Sequence, residues 1–215
     1  MHRRQFLATS ALGLAALRLS RFAYAGDAAS TPLALPEALK NNPLLDFSGL
    51  PKFSAFTPAD VAPAIDFLIN HNREQVEKIA AIAAPDWGNF FVPLSDAADK
   101  LNRAWGIVVH LNNVKNSDAL REAHDAALAK ITDYSTWLGQ HEALYQGFVK
   151  LKEAAAFAAY SPAQQKAITD ALRDFRLSGI GLPADKQQTY RDVSKRLAEL
   201  SSQFEKNVLD ANMGW

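Results

Sequence analysis

Apolar residues recur at steps of three and four along most of the chain after residue 57, and this spacing predicts helices. The first helix is predicted to begin at the sequence TPAD. Thr57 is suited to the N-cap, Pro58 to the first helical position and Asp60 to the acid of a capping box. A break is predicted at residues 84–89. The second helix follows this break, with Phe91 as its first apolar residue.

Three further helices are predicted after a turn at residues 113–118. The third is predicted as one long helix from Leu120 to Phe148, because its three-and-four spacing continues without interruption. The fourth begins at SPAQ (residues 161–164), a second capping box, and ends at SGIGLP (residues 178–183), whose glycines suit a C-cap. The fifth begins at about Ala184, and its apolar residues are Tyr190, Val193, Leu197, Leu200, Phe204 and Val208.

These elements predict an all-α fold in which antiparallel helical hairpins pack as a bundle. No run alternates apolar and polar residues for long enough to predict a sheet. We predict that residues 55–215 form the helical domain. The stretch 26–54 is rich in proline, alanine, leucine and asparagine, and it is predicted to be an extended linker and N-terminal arm.

The first 25 residues have the composition of an export leader. Arg3 and Arg4 precede an apolar run at residues 6–17, and Ala23 and Ala25 form a small-residue cleavage site. The arginine pair resembles the twin-arginine export motif. The apolar run is too short to span a bilayer, so no membrane attachment is expected after cleavage. The sequence predicts a periplasmic protein, and a cytoplasmic location is the alternative.

Composition excludes several kinds of chemistry. The sequence has no cysteine, so disulfides, thiolate metal sites and cysteine nucleophiles are excluded. Cleavage after Ala25 would remove four arginines and no acids, leaving a net charge of −4. A mildly acidic chain lacks the basic surface with which proteins bind nucleic acid, so no nucleic-acid partner is expected.

The sequence QHEALY at residues 140–145 begins like the zinc-peptidase motif HExxH and then departs from it. Tyr145 stands where the second zinc-binding histidine would be. Phenol is a poor ligand because it must first lose a proton of pKa near 10. A histidine on the apolar stripe of the third helix is therefore the favoured interpretation of His141. The sequence predicts no metal site here.

The remaining candidates are weaker. His71 and Glu74 are three residues apart, but di-metal bundles use that pairing twice and in the opposite order. His110 and His124 stand alone in the sequence. We predict no catalytic residue, no metal ligand and no cofactor in this chain, and the substrate-binding residues are unknown.

Several blocks of the sequence resemble, in the same order, the N-terminal region of the oligopeptidase A-like enzymes. These belong to the thimet-oligopeptidase-type zinc metallopeptidases. The resemblance runs from about Asn42 to Trp215. The blocks are NPLLDFSGLPKFSAFTPADVAPAI, HLNNVKNS, LREAHD, YSTWLGQHEALY, ALRDFRLSGIGLP and LSSQFEKNVLDANMGW.

The resemblance implies a mostly helical region that forms one wall of a deep channel, into which short peptides enter. It also implies that zinc is bound in the full-length family member by HExxH and a glutamate of a later domain. None of those residues has a counterpart in this sequence. The region that matches QHEALY is helical and non-catalytic in the family.

Two functions remain open from the sequence. The chain is either the N-terminal part of an exported zinc endopeptidase, completed by a catalytic domain or subunit encoded downstream, or a free-standing helical protein that binds peptides or a partner without hydrolysis. An HExxH-containing reading frame in the downstream DNA would favour the first.

Overall fold

The computed structural model of the protein describes residues 33–115 and 117–213. In these residues the chain forms six α-helices joined by short helical turns, and it contains no strand, which confirms the all-α class. The helices are α1 (Val61–Ala80), α2 (Val92–Val114), α3 (Asp118–Gly139), α4 (Glu142–Glu153), α5 (Pro162–Leu177) and α6 (Ala184–Met213).

Helix α1 is the centre of the packing. It contacts α2, α3 and α4, while α5 packs on α4 and α6 packs on α3. Val76 and Ile79 of α1 meet Phe148 of α4 and Ile168 of α5 in a buried apolar cluster. Burying a large apolar side chain of this kind contributes about 1.5–3 kcal/mol, so this cluster holds α4 and α5 on α1.

The predicted capping boxes are present. The backbone N–H of Thr57 donates to the Asp60 carboxylate at 2.8 Å, and Pro58–Asp60 form a 3-10 turn that leads into α1. The backbone N–H of Ser161 donates to Gln164 Oε1 at 2.9 Å at the start of α5. These reciprocal bonds satisfy backbone donors that would otherwise lack partners at a helix start.

The end of α5 also follows the prediction from SGIGLP. Gly179 has a φ of +82°, a left-handed conformation that glycine adopts without strain. The N–H of Ile180 donates to the carbonyl of Phe175 at 3.2 Å. The N–H of Gly179 donates to the carbonyl of Arg176 at 3.0 Å. This pair of bonds is a Schellman motif, which ends α5 and turns the chain towards α6.

The predicted third helix is wrong in its extent, because it is two helices. Helix α3 ends at Gly139, and α4 begins at Glu142 after a residue in extended conformation, His141. The carbonyls of Thr136 and Trp137 both accept from the N–H of Gln140 at 3.2 Å, which closes the last turn of α3. The apolar spacing continues across this junction because both helices bury residues on the same core, so spacing alone could not locate the break.

Residues 87–91 form a π-helical turn before α2, where the sequence predicted a break up to residue 89. Asp86 caps this turn by accepting from the N–H of Asn89 at 2.7 Å. Phe90 is fully buried in the turn.

The segment before α1 packs on the helical domain over part of its length. Leu44 and Leu45, in a 3-10 turn at Pro43–Leu45, are buried against α1 and α2. Asn42 fixes this turn by accepting from the N–H of Leu44 at 3.0 Å and donating to the carbonyl of Asp60 at 2.9 Å. This part of the predicted arm therefore contributes to the core.

No helix among the described residues is both long enough and apolar enough to cross a bilayer.

Candidate functional site

The sequence suggested that His141 of QHEALY lies inside a helix. The structure instead places it at the N-cap of α4. Its Nδ1 accepts a hydrogen bond from the backbone N–H of Leu144 at 3.1 Å. Its Nε2 lies 3.2 Å from the Glu77 carboxylate, so this nitrogen carries the proton and donates. Both ring nitrogens therefore have partners inside the protein, and the geometry does not fit a zinc ligand.

The other histidines of the described residues pack against aromatic rings, and His110 lies beside Phe53 with ring centres 5.3 Å apart. His124 is buried and stacks on Trp105 with ring centres 4.9 Å apart. His71 lies beside Phe67, and partial burial lowers the pKa of its imidazole. No group of three or more metal-binding side chains occurs within the parts of the chain that the structure describes.

A cation–π contact on α1 and α3 was missed by the sequence analysis. The Arg73 guanidinium lies 4.3 Å from the centre of the Trp137 ring and 5.7 Å from that of Tyr134. Arg73 reaches Trp137 from another helix, so the residues around Trp137 in the sequence give no sign of the contact. The contact joins α1 to α3 close to the His141 junction.

The four leader residues predicted from the sequence, Arg3, Arg4, Ala23 and Ala25, lie outside the described residues.

Among the described residues, exposed large apolar side chains are most numerous on α6. Leu197 is 62% exposed and Phe204 is 68% exposed. Such residues follow at steps of three and four, so they lie along one side of the helix. We call this surface the outer face of α6, and its residues are Val193, Leu197, Leu200, Phe204 and Val208.

The opposite side of α6 is attached to α3 mainly by polar contacts. Ser202, which is buried, donates from its hydroxyl to the Asp125 carboxylate at 2.9 Å. Lys206 forms an ion pair with the same carboxylate. Arg121 binds Asp210 with two hydrogen bonds of 3.0 and 2.5 Å.

These contacts shift the ionisation of both carboxyls. Burial raises the pKa of Asp125, but hydrogen bonds from Lys206, Ser202 and His124 outweigh it, and the net pKa is lowered. The hydrogen bond from Arg121 lowers the pKa of Asp210. Both carboxylates are therefore ionised at neutral pH and hold α6 on α3.

A cavity of about 370 Å³ lies between α2, α3 and the C-terminal half of α6. Phe204 and Val208 of the outer face line it, together with Arg121 and Asn112. Asn112 is 7% exposed, and its side-chain oxygen has no hydrogen-bond partner. A buried amide oxygen without a donor is uncommon in folded proteins and costs stability.

In the described residues, the site is therefore an exposed apolar helix face with an adjoining cavity. Together with the all-α fold, it defines the class of an all-helical domain with an uncovered apolar helix face. The chain belongs to the neurolysin/thimet oligopeptidase family: residues 65–187 match the family's N-terminal domain, described as "Neurolysin/Thimet oligopeptidase, N-terminal domain".

The chain is similar to oligopeptidase A from two bacteria. It is 51% identical over 175 residues to that of Haemophilus influenzae and 49% identical over 175 residues to that of Escherichia coli. Each comparison covers 81% of this chain and 26% of the relative. The resemblance of the sequence blocks to the N-terminal region of this family is confirmed.

A plant relative shows the same relationship at lower identity. The chain is 30% identical over 175 residues to the "organellar oligopeptidase A, chloroplastic/mitochondrial" of Arabidopsis thaliana. The comparison covers 81% of this chain and 22% of the relative. The chain thus spans about a quarter of the length of the curated relatives it matches.

Proposed function

We propose that this domain works in an exported, zinc-dependent oligopeptidase of the oligopeptidase A type. In this proposal the helices form one wall of a channel through which short peptides reach a zinc ion. The zinc and the residues that activate water belong to a different domain or subunit of the same enzyme.

The observation that carries the proposal is the outer face of α6. Five large apolar side chains along it are between 44% and 68% exposed. Isolated exposed apolar residues are ordinary, but a continuous row marks a surface that a partner covers. Because the chain spans only 26% of each bacterial relative, the rest of such a protein supplies a natural partner.

The proposal places the zinc outside this domain. Zinc in peptidases is bound by histidine and carboxylate side chains and keeps one position open for water. In this sequence no HExxH occurs, and the described residues contain no cluster that fits such a site. In this proposal, the residues of this chain contribute to binding the peptide and do not ligate the zinc.

The experiment compares the chain alone with the chain in the context of a whole relative. The mature chain is purified by itself, and its residues 42–213 also replace the matching region of full-length Escherichia coli oligopeptidase A. Hydrolysis of an internally quenched fluorescent peptide is measured with zinc and after chelation. The chimera is expected to hydrolyse the peptide only with zinc, and the chain alone is expected to be inactive.

Two results would contradict the proposal. Zinc-dependent hydrolysis by the chain alone would mean that it carries a complete active site. A folded but inactive chimera, combined with tight peptide binding by the chain alone, would favour the free-standing peptide-binding protein.

A further inference from the structure

A second cavity, of about 270 Å³, lies between α2, α3, α4 and α5. Its apolar lining comes from all four helices and consists of Leu94, Leu138, Leu144, Phe148, Ala171 and Phe175. Leu144 and Phe148 are 1% and 3% exposed, so the cavity reaches down to the buried core. Small-molecule sites in proteins are mostly apolar and contain a few polar groups that orient the ligand. This cavity has that character and can accept one large apolar side chain.

The end of this cavity is fixed where the C-terminal ends of α3 and α5 meet. A Cβ atom on Gly139 would lie 2.6 Å from the side chain of Ser178, and both residues line the cavity. Phe148 and Phe175 also pack on each other, with ring centres 5.6 Å apart. Because these contacts form within the domain, the cavity exists before any ligand arrives.

Asp174 supplies the charge at this cavity. Among the described residues that line it, Asp174 is the one that is charged. Its carboxylate pairs with Arg173 at 3.0 Å, but both side chains are exposed, and such pairs contribute little to stability. Arg173 also binds Asp170 at 3.1 Å, so it keeps a partner when Asp174 binds another cation. The cavity therefore combines an apolar interior with a carboxylate that can receive a positive charge.

We propose that this cavity binds the amino terminus of a short peptide whose first residue has a large apolar side chain. The side chain enters the cavity, and the ammonium group donates to the Asp174 carboxylate. The proposal rests on the proposed function, because the ligand is taken to be a peptide. It adds which end of the peptide is recognised and by which residues.

An amino terminus fits better than a lysine side chain for a geometric reason. In the first residue of a peptide, the ammonium group and the side chain are attached to the same carbon. Asp174 and Phe175 are likewise adjacent in the chain, and the first is exposed whereas the second is buried. Lysine instead holds its cation at the end of a flexible four-carbon stem.

The test begins with two peptides and the full 215-residue chain. Phe-Ala-amide has a free amino terminus, which is protonated at about pH 6.5, and acetyl-Phe-Ala-amide lacks this charge. Binding is followed by NMR of leucine methyl groups, because Leu94, Leu138 and Leu144 line the cavity. Phe-Ala-amide is expected to shift these signals with a dissociation constant in the millimolar range. Acetylation is expected to weaken binding about tenfold, and equal binding of the two peptides would overturn the proposal.

Asp174→Asn keeps the shape of the side chain and removes its charge. It is expected to weaken Phe-Ala-amide about tenfold and to leave acetyl-Phe-Ala-amide unchanged, because the two changes remove the same contact. Asp133→Asn is the matched control, since Asp133 is an exposed aspartate of α3 outside the lining of the cavity. Equal weakening by both variants would mean that net charge attracts the peptide, and would contradict a site at Asp174.

Ala171→Leu tests the cavity itself by filling it. The variant is expected to abolish binding of both peptides, and thermal unfolding shows whether it remains folded. Ala143→Leu makes the same change at an exposed position of α4 that does not line the cavity, and it is expected to bind normally. Normal binding by a folded Ala171→Leu variant would exclude this cavity as the site.

A third peptide, acetyl-Phe-Lys-amide, carries its cation on a side chain. We expect it to bind no better than acetyl-Phe-Ala-amide. Binding as tight as that of Phe-Ala-amide would contradict the assignment to the amino terminus.

Hydrolysis by the Escherichia coli chimera described above separates this site from the proposed function. Two internally quenched peptides that differ only in acetylation of an N-terminal phenylalanine are compared. The free form is expected to have the lower KM, and Asp174→Asn is expected to remove the difference. An inactive chimera, with binding to the chain as expected, would count against the peptidase and support the site. An active chimera with no preference for the free amino terminus would support the peptidase and overturn the site.

Discussion

His141 shows how one side chain can decide where a helix begins. Its ring nitrogen takes the place of the oxygen that serine, threonine, aspartate or asparagine provides at most N-caps. The same ring donates to Glu77 of α1, so the start of α4 is tied to the central helix. The half motif QHEALY thus has a structural explanation at the level of a single residue.

Replacing His141 with alanine is expected to reduce the free energy of unfolding by about 0.5–2 kcal/mol, the usual effect of losing an N-cap. Replacing it with asparagine keeps an N-cap acceptor and is expected to recover most of that loss. Urea unfolding followed by circular dichroism measures both. Equal losses in the two variants would mean that the bond to Leu144 does not stabilise the start of α4.

Much of the fold was predictable from local signals. Thr57–Asp60, Ser161–Gln164 and the glycines after α5 act within a few residues of their own position, so the sequence predicted their roles. Histidine is rarely used as an N-cap, and the apolar spacing continues past His141, so the division between α3 and α4 was missed. Contacts such as Arg73 with Trp137 join distant parts of the sequence and leave no local pattern.

The candidate site was partly predictable for the same reason. The apolar row from Val193 to Val208 is a helical pattern that the sequence shows, but whether another helix covers it cannot be read from the spacing. The opposite face of α6 depends on pairs such as Arg121 with Asp210, which are 89 residues apart. The cavity between α2, α3 and α6 needs three helices to form, so it is visible only in three dimensions.

At the scale of elements, α4 approaches the turn before α2 so closely that only glycine fits at position 147. A Cβ atom there would lie 2.3 Å from the ring of Phe90, which is fully buried. Phe90 in turn meets Phe148 edge-on with ring centres 5.1 Å apart. The contact between α4 and the turn before α2 therefore depends on the absence of a side chain at Gly147.

Gly147→Ala is expected to lower the free energy of unfolding by about 1–3 kcal/mol, because it overpacks the core at Phe90. Gly106→Ala is the matched control, since this exposed glycine of α2 has no atom within 4 Å of a new Cβ. The control is expected to stabilise the helix by roughly 0.5–1 kcal/mol. If both variants were stabilising, the close approach of Phe90 would be contradicted.

The attachment of α6 to α3 depends on pH. Asp125 and Asp210 have lowered pKa values in the folded protein, so they bind fewer protons there than in the unfolded chain. Their contribution to stability is present above the unfolded pKa of about 3.9 and is lost as pH falls through the lowered folded values.

We therefore expect the amide protons of α6 to lose protection before those of α1 as pH is lowered below about 4. Hydrogen exchange, corrected for the intrinsic effect of pH, measures this. Asp125→Asn is expected to weaken the protection of α6 at neutral pH. Asp170→Asn is the control, because Asp170 pairs with Lys166 and Arg173 within α5. Equal loss of protection in α1 and α6 would count against a separate acid response of α6.

At the scale of the whole molecule, the outer face of α6 limits the stability of the chain when no partner covers this face. Leaving one large apolar side chain exposed forgoes about 1.5–3 kcal/mol. A typical domain is stable by only roughly 5–15 kcal/mol, so several such side chains matter.

We expect residues 26–215, the chain that the proposed cleavage would leave, to be marginally stable and to self-associate. Sedimentation velocity should show larger species as concentration rises, and the melting temperature should depend on concentration. The double variant Leu197→Ser and Phe204→Ser is expected to reduce association. Leu177→Ser, which alters a leucine of α5 that is 69% exposed, is the control. A monodisperse monomer with a high, concentration-independent melting temperature would favour a free-standing protein.

Export is proposed to depend on the arginine pair at the start of the sequence. Replacing Arg3 and Arg4 with lysine keeps the positive charge but removes the planar guanidinium groups. The double variant is expected to remain in the cytoplasm, as measured by fractionation of cells that express the full 215-residue sequence. Replacement of Arg18 and Arg21 with lysine is the control, and normal export of the Arg3, Arg4 variant would contradict the twin-arginine assignment.

The order of the helices along the chain has a consequence for synthesis. Helices α1 to α5 form the apolar cluster among themselves, and α6 is made after all of them. At about 5–20 residues per second, the ribosome needs roughly two to six seconds to add α6. The first five helices therefore have time to fold before α6 is complete, and α6 then joins a finished surface through Asp125 and Arg121. Its apolar row is exposed both before and after this step, so a chaperone that binds apolar segments can capture it as soon as it leaves the ribosome.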